Sequence, residues 1–412
     1  MNIANTSVES DNKAGPLAGV RILDLTRAFG GPLCTMILGE MGADVLKIEE
    51  PKTGDESRTF PPVFRGGVSG YFSALNRNKR SVTLDLKKPE ARDIILKLAA
   101  MSDVFVENFT PGVATRLGFS YDDIKAVRPD VVYCSISGFG QDGPYRKRKG
   151  YDPVLQAMGG LMGVTGEKNG GPIKSMVPVA DISIGHMSAM AILAAMFNHA
   201  RRGQGQYIDM SMMDVMVSMQ TTVGTTYLNN GIVPPRSGTE NPARTPSAAF
   251  ECADGVYIQV VPNQRQWKDF CTILGGPELA EDPRFADTLT RVKNQDALYP
   301  RLRELMRQKP SHFWDDEFVK AGIPAGPIHE LDKLFADPQV VARKMVIEFE
   351  DTLAGVIRGI RLPFILSETP VRMRSRPPHL GEHTREVLST LLHVSDERIA
   401  ELDRLGVTSW KP

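Results

Sequence analysis

The first half of the chain alternates short apolar runs with helix-like segments, and this alternation constrains the fold more than any other feature. The helix-like segments carry start signals, such as Pro32 before a helix predicted over 33–41 and Pro89 at the start of one over 89–100. Strand, loop and helix in repetition predict an α/β fold with a Rossmann-like parallel sheet. The predicted strands lie at 20–25, 43–49, 81–86, 103–107, 131–137 and 206–210.

The pattern changes beyond about residue 227, after which we predict a smaller α/β domain. A stretch rich in Asn, Gly and Pro precedes a predicted β-hairpin over 248–252 and 256–261. Helices are then predicted over 264–274, 288–308 and 312–321. The tail is too short for a third domain and is expected to pack back on the first. Its predicted strands are 345–349 and 357–366, and its predicted helices 384–393 and 395–405.

Charge and cysteine content argue against several function classes. Lys and Arg total 49 and so do Asp and Glu, which gives no electrostatic reason to expect a nucleic acid or a membrane surface as partner. The four cysteines are far apart, with no CxxC or His–Cys cluster, so we predict no metal site and a reducing cytoplasm. Residues 1–15 are polar and are expected to form a disordered leader, and no run of about 20 apolar residues is evident.

The turn after the first strand, 27–32, lacks the GxGxxG spacing that cradles a dinucleotide, which argues against NAD or FAD. In such sheets ligands bind beyond the carboxyl ends of the strands, where this turn, Lys87 and Asn108 are expected to lie. Arg116 and the basic run 146–149 could add positive charge to that edge. This fits a multiply phosphorylated small molecule, and an ordinary solvated face is the alternative.

Asp181 follows two Gly-rich turns, at 159–160 and 170–171, and precedes a helix predicted over 182–199. It is our candidate nucleophile. Asp is also a preferred N-cap, so capping of that helix is the alternative. The glycines, likewise, either bring amide donors to an oxyanion or simply form turns.

Further motifs, taken together, resemble those of the class III CoA-transferases of the CaiB/BaiF type, which include formyl-CoA and carnitine CoA-transferases and an acyl-CoA racemase branch. The matching stretches are spread over nearly the whole chain. They include Gly42-Ala43-Asp44-Val45, Leu84-Asp85-Leu86-Lys87, Val106-Glu107-Asn108-Phe109, Gly203-Gln204-Gly205-Gln206 and Leu380-Gly381-Glu382-His383-Thr384.

The resemblance implies that Asp181 is the catalytic aspartate, passing through aspartyl anhydride and aspartyl-CoA thioester intermediates. An acyl-CoA thioester and a carboxylic acid are the implied substrates, with no permanently bound cofactor and no metal. The implied CoA contacts are Phe29, Gly30, Leu84, Asp85, Leu86, Lys87, Asn108, Phe109, Thr110, Arg116, Lys149, Gly150, Tyr151 and Asp152.

The same resemblance implies an interlocked homodimer and a particular division of the chain. A large CoA-binding domain is expected over 16–212 and again over 346–412, with a small domain over 227–330. Linkers are expected over 213–226 and 331–345.

Departures from the family pattern bear on the substrate and the branch. Tyr151 stands where the racemase branch has histidine, and because a phenol is a poor base at neutral pH, transfer is favoured over racemisation. A racemase and a non-catalytic CoA-binding protein remain the alternatives. Phe29 replaces a polar residue of the formyl enzyme, Glu50 replaces an arginine, and no tetraglycine flap is present, so its shielding role is assigned to 262–264.

The acyl donor and acceptor are inferred from the polar residues ahead of the candidate nucleophile. Lys174 and Ser175 lie in the loop that precedes Asp181. We therefore expect succinyl-CoA as donor and a small dicarboxylic acid as acceptor, with a hydrophobic or aromatic acid as the alternative.

Overall fold

The computed structural model describes residues 15–410, so the leader predicted over 1–15 lies outside the described residues except for Gly15. Contacts divide the chain into two compact units. Of the described residues, the first unit comprises 15–160, 175–224 and 344–410, and the second comprises 161–174 and 225–343.

The first unit is built on a six-stranded sheet in which every neighbouring pair is parallel, which confirms the predicted α/β class. The strand order is β3-β2-β1-β4-β5-β6, so the first strand lies inside the sheet and the chain winds outward in both directions. The strands are β1 Arg21–Asp24, β2 Asp44–Glu49, β3 Lys79–Thr83, β4 Val104–Glu107, β5 Val132–Ser137 and β6 Gln206–Ser211.

Ten helices follow in chain order up to residue 230, and all except α7 and the end of α10 belong to the first unit. The range 213–226, expected to be a linker, is largely helical. The helices are α1 Gly30–Glu40, α2 Gly70–Leu75, α3 Pro89–Ala100, α4 Val113–Leu117, α5 Tyr121–Val127, α6 Asp152–Met158, α7 Leu161–Val164, α8 Val179–Arg202, α9 Met212–Ser218 and α10 Thr221–Asn230. Short 3-10 turns occupy Glu56–Thr59 and Arg65–Gly67.

Two element boundaries near the sheet differ from those predicted. Helix α1 begins at Gly30, inside the turn that was expected to precede it, and all eleven of its residues are buried. Strand β3 ends at Thr83 rather than continuing to residue 86, because its partner β2 ends at Glu49, just ahead of Pro51. Residues 84–87 therefore form a loop beyond the carboxyl end of β3.

Helix α8 is the longest element and forms part of the core of the first unit. It packs against α1, α6 and α9 and against strands β5 and β6. By length and composition it is the one helix of the described residues that could cross a membrane, with a mean hydropathy of 1.5 in its most apolar window. A core helix of a soluble protein passes the same test; α8 packs against three helices and two strands of its own unit, and 39% of that window is buried.

The second unit has its own core around a three-stranded antiparallel sheet. The predicted hairpin is confirmed as β7 Ala248–Glu251 paired with β8 Tyr257–Val260, to which β9 Ala325–Pro327 adds. The single helix predicted over 288–308 is wrong, since the chain is interrupted at Asn294. The helices are α11 Trp267–Ile273, α12 Glu278–Glu281, α13 Thr288–Lys293, α14 Gln295–Met306, α15 Ser311–Lys320, α16 Leu331–Ala336 and α17 Pro338–Ala342, with 3-10 turns at Gln264–Gln266 and Pro283–Phe285.

The C-terminal segment returns to the first unit and packs against the part of the sheet that contains β3. It contains the hairpin β10 Val346–Asp351 and β11 Gly355–Ile360, then α18 Thr384–Thr390 and α19 Asp396–Arg404. The Thr83 amide donates to the Thr384 hydroxyl at 3.0 Å, and the Asp85 amide donates to the Val407 carbonyl at 2.8 Å. Apolar residues of both final helices join the core that covers β3 and β4.

Candidate active site

Asp181 is the third residue of α8 and does not cap that helix, so the N-cap interpretation is wrong. The N-cap position is Pro178, which makes no side-chain cap bond. The carboxylate of Asp152 takes that role instead: its Oδ1 accepts the Ala180 amide at 2.9 Å and the Asp181 amide at 3.4 Å. Because a neighbouring carboxylate satisfies these amides, the side chain of Asp181 is left available.

Asp152 comes from α6, 29 residues earlier in the chain, and lies beneath the site rather than on its surface. Its side chain is buried, and its second oxygen accepts a hydrogen bond from Gln156 Nε2 at 2.6 Å. Gln156 in turn accepts the Ser175 amide through its Oε1 at 2.9 Å. This chain of bonds ties α6 to the segment that enters α8.

The Asp181 carboxylate is poorly solvated and unusually basic. Among the residues that the structure describes, no side chain or amide donates a hydrogen bond to it. Burial, and then the negative charge of Asp152, raise the pKa of Asp181 to about 7. A carboxylate that lacks hydrogen bonds and titrates near neutral pH is more nucleophilic than an ordinary surface aspartate.

The N-terminus of α1 lies directly against Asp181. A Cβ atom at Gly30 would lie 3.9 Å from Asp181 Oδ1 and 2.6 Å from Ile184 Cγ2, so only glycine fits between the two helices. The first-turn amides of Gly30 and Gly31 have no acceptor among residues 15–410, and Pro32 has no amide to contribute. Two free donors and the positive end of the helix dipole therefore lie in the first turn of α1, whose first residue is adjacent to Asp181.

Aromatic side chains form the wall next to this helix N-terminus. The ring of Tyr71 lies 5.5 Å from that of Phe29 and 5.3 Å from that of Phe60, both edge to face. Burial, followed by the charges of Asp181 and Asp152, raises the pKa of the Tyr71 phenol, which places it near both carboxylates. Tyr71 was not among the predicted site residues, because nothing in its local pattern distinguishes it from any residue of a short capped helix.

The predicted CoA contacts differ in how far their side chains are available to a ligand. Phe29 and Gly30 join Asp181 at the site, while Leu84 and Phe109 have their side chains in the hydrophobic core, so only their main chain is available to a ligand. The Asn108 side chain is occupied in holding both the amide and the carbonyl of Arg27. Exposed side chains are found at Lys87, Thr110, Arg116, Lys149 and Tyr151, and partly exposed residues at Asp85, Leu86 and Gly150.

Three of the four glycines in the two Gly-rich turns have amides that are already hydrogen-bonded. The amides of Gly159, Gly160 and Gly170 each donate to a carbonyl three or four residues earlier in the chain. These three act as turn formers rather than as oxyanion donors. Within residues 15–410 no group of three or more His, Cys, Asp or Glu residues is arranged to hold a metal ion.

Comparison with known proteins gives consistent results over nearly the full length. The family model described as CoA-transferase family III matches residues 17–384. The chain is 38% identical to the succinate–glutarate CoA-transferase of Agrobacterium fabrum, over 92% of this chain and 96% of that protein. It is 37% identical to the human succinyl-CoA:glutarate CoA-transferase, over 96% of this chain and 90% of that protein.

A solved structure is similar to this chain in fold as well as in sequence. The crystal structure of a CaiB/BaiF family protein from Brucella suis superposes with a TM-score of 0.83 and 38% identity, covering 92% of this chain and all of that one. The parallel sheet, the isolated aspartate at the start of α8 and these matches agree with one another. The chain belongs to CoA-transferase family III.

Proposed function

We propose that this CoA-transferase moves CoA from succinyl-CoA to a dicarboxylic acid such as glutarate, with Asp181 as nucleophile. The observation that carries the proposal is the Asp181 carboxylate, which accepts no hydrogen bond from the described residues and has a pKa raised to about 7. The names of the relatives from Agrobacterium fabrum and human support the choice of substrates.

The chemistry follows from what a carboxylate does with a thioester. An oxygen of Asp181 attacks the thioester carbonyl, the carbon–sulfur bond breaks, and CoA thiolate leaves behind a mixed aspartyl anhydride. The thiolate then attacks the aspartyl carbonyl, releasing the donor as its carboxylate and leaving CoA on Asp181 as a thioester. The acceptor carboxylate reverses the two steps and departs as its CoA thioester, which restores Asp181.

Each tetrahedral intermediate carries an oxyanion that needs hydrogen-bond donors, and the site must exclude water. The free amides of Gly30 and Gly31 are the donors that support this role, since they need no reorganisation to receive charge. The rings of Phe29, Phe60 and Tyr71 provide an apolar wall that limits hydrolysis of the anhydride.

Binding of CoA itself is proposed along the carboxyl ends of the strands. Lys87, Arg116 and Lys149 present exposed cationic side chains that suit phosphate groups. The main chain of 84–86 and 108–110 lies on the same edge of the sheet, beyond β3 and β4. An interlocked homodimer is also proposed, supported by large apolar side chains exposed on the first unit, among them Met176, Met190 and Phe197. The proposed location is the cytoplasm.

The test is to incubate the protein with succinyl-CoA and a series of acids that includes glutarate, oxalate and an aromatic acid. We expect stoichiometric release of succinate and formation of the acceptor's CoA thioester, with dicarboxylic acids preferred. Incubation with a chiral 2-methylacyl-CoA in deuterated water is the control for the racemase alternative. Deuterium at the α-carbon without CoA transfer would refute the proposal.

The rate of enzyme acylation should depend on pH through Asp181. Only the ionised carboxylate attacks, so kcat/KM should rise about tenfold per pH unit up to pH 7 and level off above it, as a pKa of about 7 requires. Initial rates with succinyl-CoA between pH 5 and 9 measure this. A midpoint near pH 4 would contradict the raised pKa.

Asp152→Asn tests how much the charge of Asp152 contributes to the raised pKa of Asp181. It removes the negative charge next to Asp181 but keeps an oxygen for the Ala180 amide, so the midpoint should move to lower pH. An unchanged midpoint would assign the raised pKa to burial alone.

A further inference from the structure

Four charged side chains form a buried network under the turn that leads into α1. Asp24, Lys47, Asp55 and Lys79 are each at most 1% exposed. Lys47 pairs with Asp55 at 2.8 Å and Lys79 pairs with Asp24 at 3.2 Å. Burying charges is unfavourable unless they are paired and hydrogen-bonded, and well-packed apolar residues of similar volume often give equal stability, so a buried charge network is weak evidence for a purely stabilising role. The proposed transfer chemistry uses none of the four.

The network holds the main chain of the turn between β1 and α1 at two residues, Thr26 and Ala28. Asp24 Oδ1 accepts the Thr26 amide at 2.8 Å, and Lys47 Nζ donates to the Thr26 carbonyl at 2.9 Å. Asp55 Oδ1 accepts the Ala28 amide at 3.1 Å, while its other oxygen binds Lys47. The turn is therefore held by side chains of β1, of β2 and of the loop that follows β2.

The turn needs such support because of its conformation. Ala28 has a φ of +66°, in the left-handed region that residues with a Cβ atom rarely adopt. This residue directly precedes Phe29 and Gly30, which contact Tyr71 and Asp181 respectively. If Ala28 relaxed to an ordinary conformation, Phe29 and the first amides of α1 would turn away from Asp181.

We propose that Lys47 and Asp55 are positioning residues for the transferase reaction. Without touching substrate, they hold Thr26 and Ala28 so that Phe29 and the amides of Gly30 and Gly31 stay beside Asp181. This inference rests on the proposed function of Asp181. The strong pairing keeps both groups charged: despite burial, Lys47 lowers the pKa of Asp55 to about 2, and Asp55 and Asp24 raise the pKa of Lys47.

The test compares Lys47→Met with the charge-neutral double variant that adds Asp55→Asn. Lys47→Met removes the donor to Thr26 and leaves Asp55 without its partner, so both stability and activity should fall. In the double variant no unpaired charge remains and the asparagine still accepts the Ala28 amide, so the melting temperature should recover. The hydrogen bond from Lys47 to the Thr26 carbonyl is still missing in the double variant. We therefore expect kcat to stay about 100-fold below wild type while the affinity for CoA changes less than about threefold.

A buried pair at the other end of α1 provides the control. Glu40 and Arg77 are paired and at most 3% exposed, and Glu40 is the last residue of the helix. The double variant Glu40→Gln with Arg77→Met should lower the melting temperature without changing kcat per folded molecule. Hydrogen exchange of the amides of residues 26–28, which are hydrogen-bonded in the wild type, should speed up in the Lys47 variants and stay unchanged in the control.

The outcomes separate the two proposals. Hydroxylamine trapping of an Asp181 adduct in the wild type, with slow acylation in both Lys47 variants, supports the positioning role. An adduct in the wild type with kcat per folded molecule within twofold in both variants overturns the positioning role alone. A wild type that forms no adduct with any acyl-CoA overturns the proposed function, and the positioning role with it.

Discussion

Asp181→Asn should abolish CoA transfer, with kcat reduced by at least about 10⁴-fold, because the carboxylate supplies the bond-forming atom in both covalent intermediates. Asparagine has nearly the same shape, so binding of CoA should remain close to that of the wild type. Turnover with succinyl-CoA and glutarate measures the loss, and equilibrium binding of CoA shows that the site is intact.

Trapping identifies the residue directly. Wild-type protein incubated with succinyl-CoA and treated with hydroxylamine should carry a hydroxamate on the peptide that contains Asp181, and this product should be missing from Asp181→Asn and Asp181→Ala. Asp152→Asn serves as the matched control, since it lies in the same site and should still form the adduct. A hydroxamate that persists in both Asp181 variants would assign the nucleophile to another residue.

Asp181→Asn should also make the protein more stable at alkaline pH. The folded state raises the pKa of Asp181 from 3.8 to about 7, so the folded protein binds this proton more tightly than the unfolded chain does. Between these two values the free energy of unfolding falls as the pH rises. Asp181→Asn should therefore melt at a higher temperature than the wild type at pH 8, and the difference should vanish near pH 4.

Gly30→Ala has the second-largest expected effect, with a loss of about 100-fold in kcat and about 1–3 kcal/mol in the free energy of unfolding. The new methyl group would lie 2.6 Å from Ile184 Cγ2 and 3.3 Å from the Asp181 carbonyl oxygen, so α1 and α8 must move apart. That movement takes the amides of Gly30 and Gly31 away from the reacting carboxylate. Steady-state kinetics and thermal denaturation measure the two effects.

Gly163→Ala is the control for this steric argument, because no atom lies within 4 Å of the Cβ position there. It should change neither kcat nor stability appreciably. Adding Ile184→Ala to Gly30→Ala removes the contact and should restore part of the activity. If Gly30→Ala alone is as active as the wild type, the close approach of α1 to Asp181 is not required.

The fold was largely predictable because it depends on local periodicity. Apolar runs of strand length, each followed by a helix signal, led to the parallel sheet, and the helix over 89–100 was predicted to the residue. Predictions failed where a partner strand or a tertiary contact sets the boundary, as at Thr83 and at Gly30. Lys47 and Lys79 lie inside strands, and their burial could not be anticipated because their counterions come from other strands and loops.

The site was only partly predictable, for a related reason. The local sequence offered Asp181 as a nucleophile or as a helix cap, and the motif resemblance favoured the nucleophile. The structure excludes the cap, because Asp152 accepts the amides of Ala180 and Asp181. Asp152 lies 29 residues earlier in the chain, so the local pattern could not indicate this contact. The nucleophilic role of Asp181 is our proposal. Tyr71 was missed in the same way, because only the packing of α2 brings it toward the carboxylates.

The return of the C-terminal segment has a consequence for how the protein is made. The loop after β3, from which CoA contacts are proposed, is held at Asp85 by the carbonyl of Val407. The whole second unit lies between these two residues in the chain. The loop therefore gains this support only after the second unit has been synthesised, which makes the proposed CoA-binding edge one of the last parts of the first unit to form.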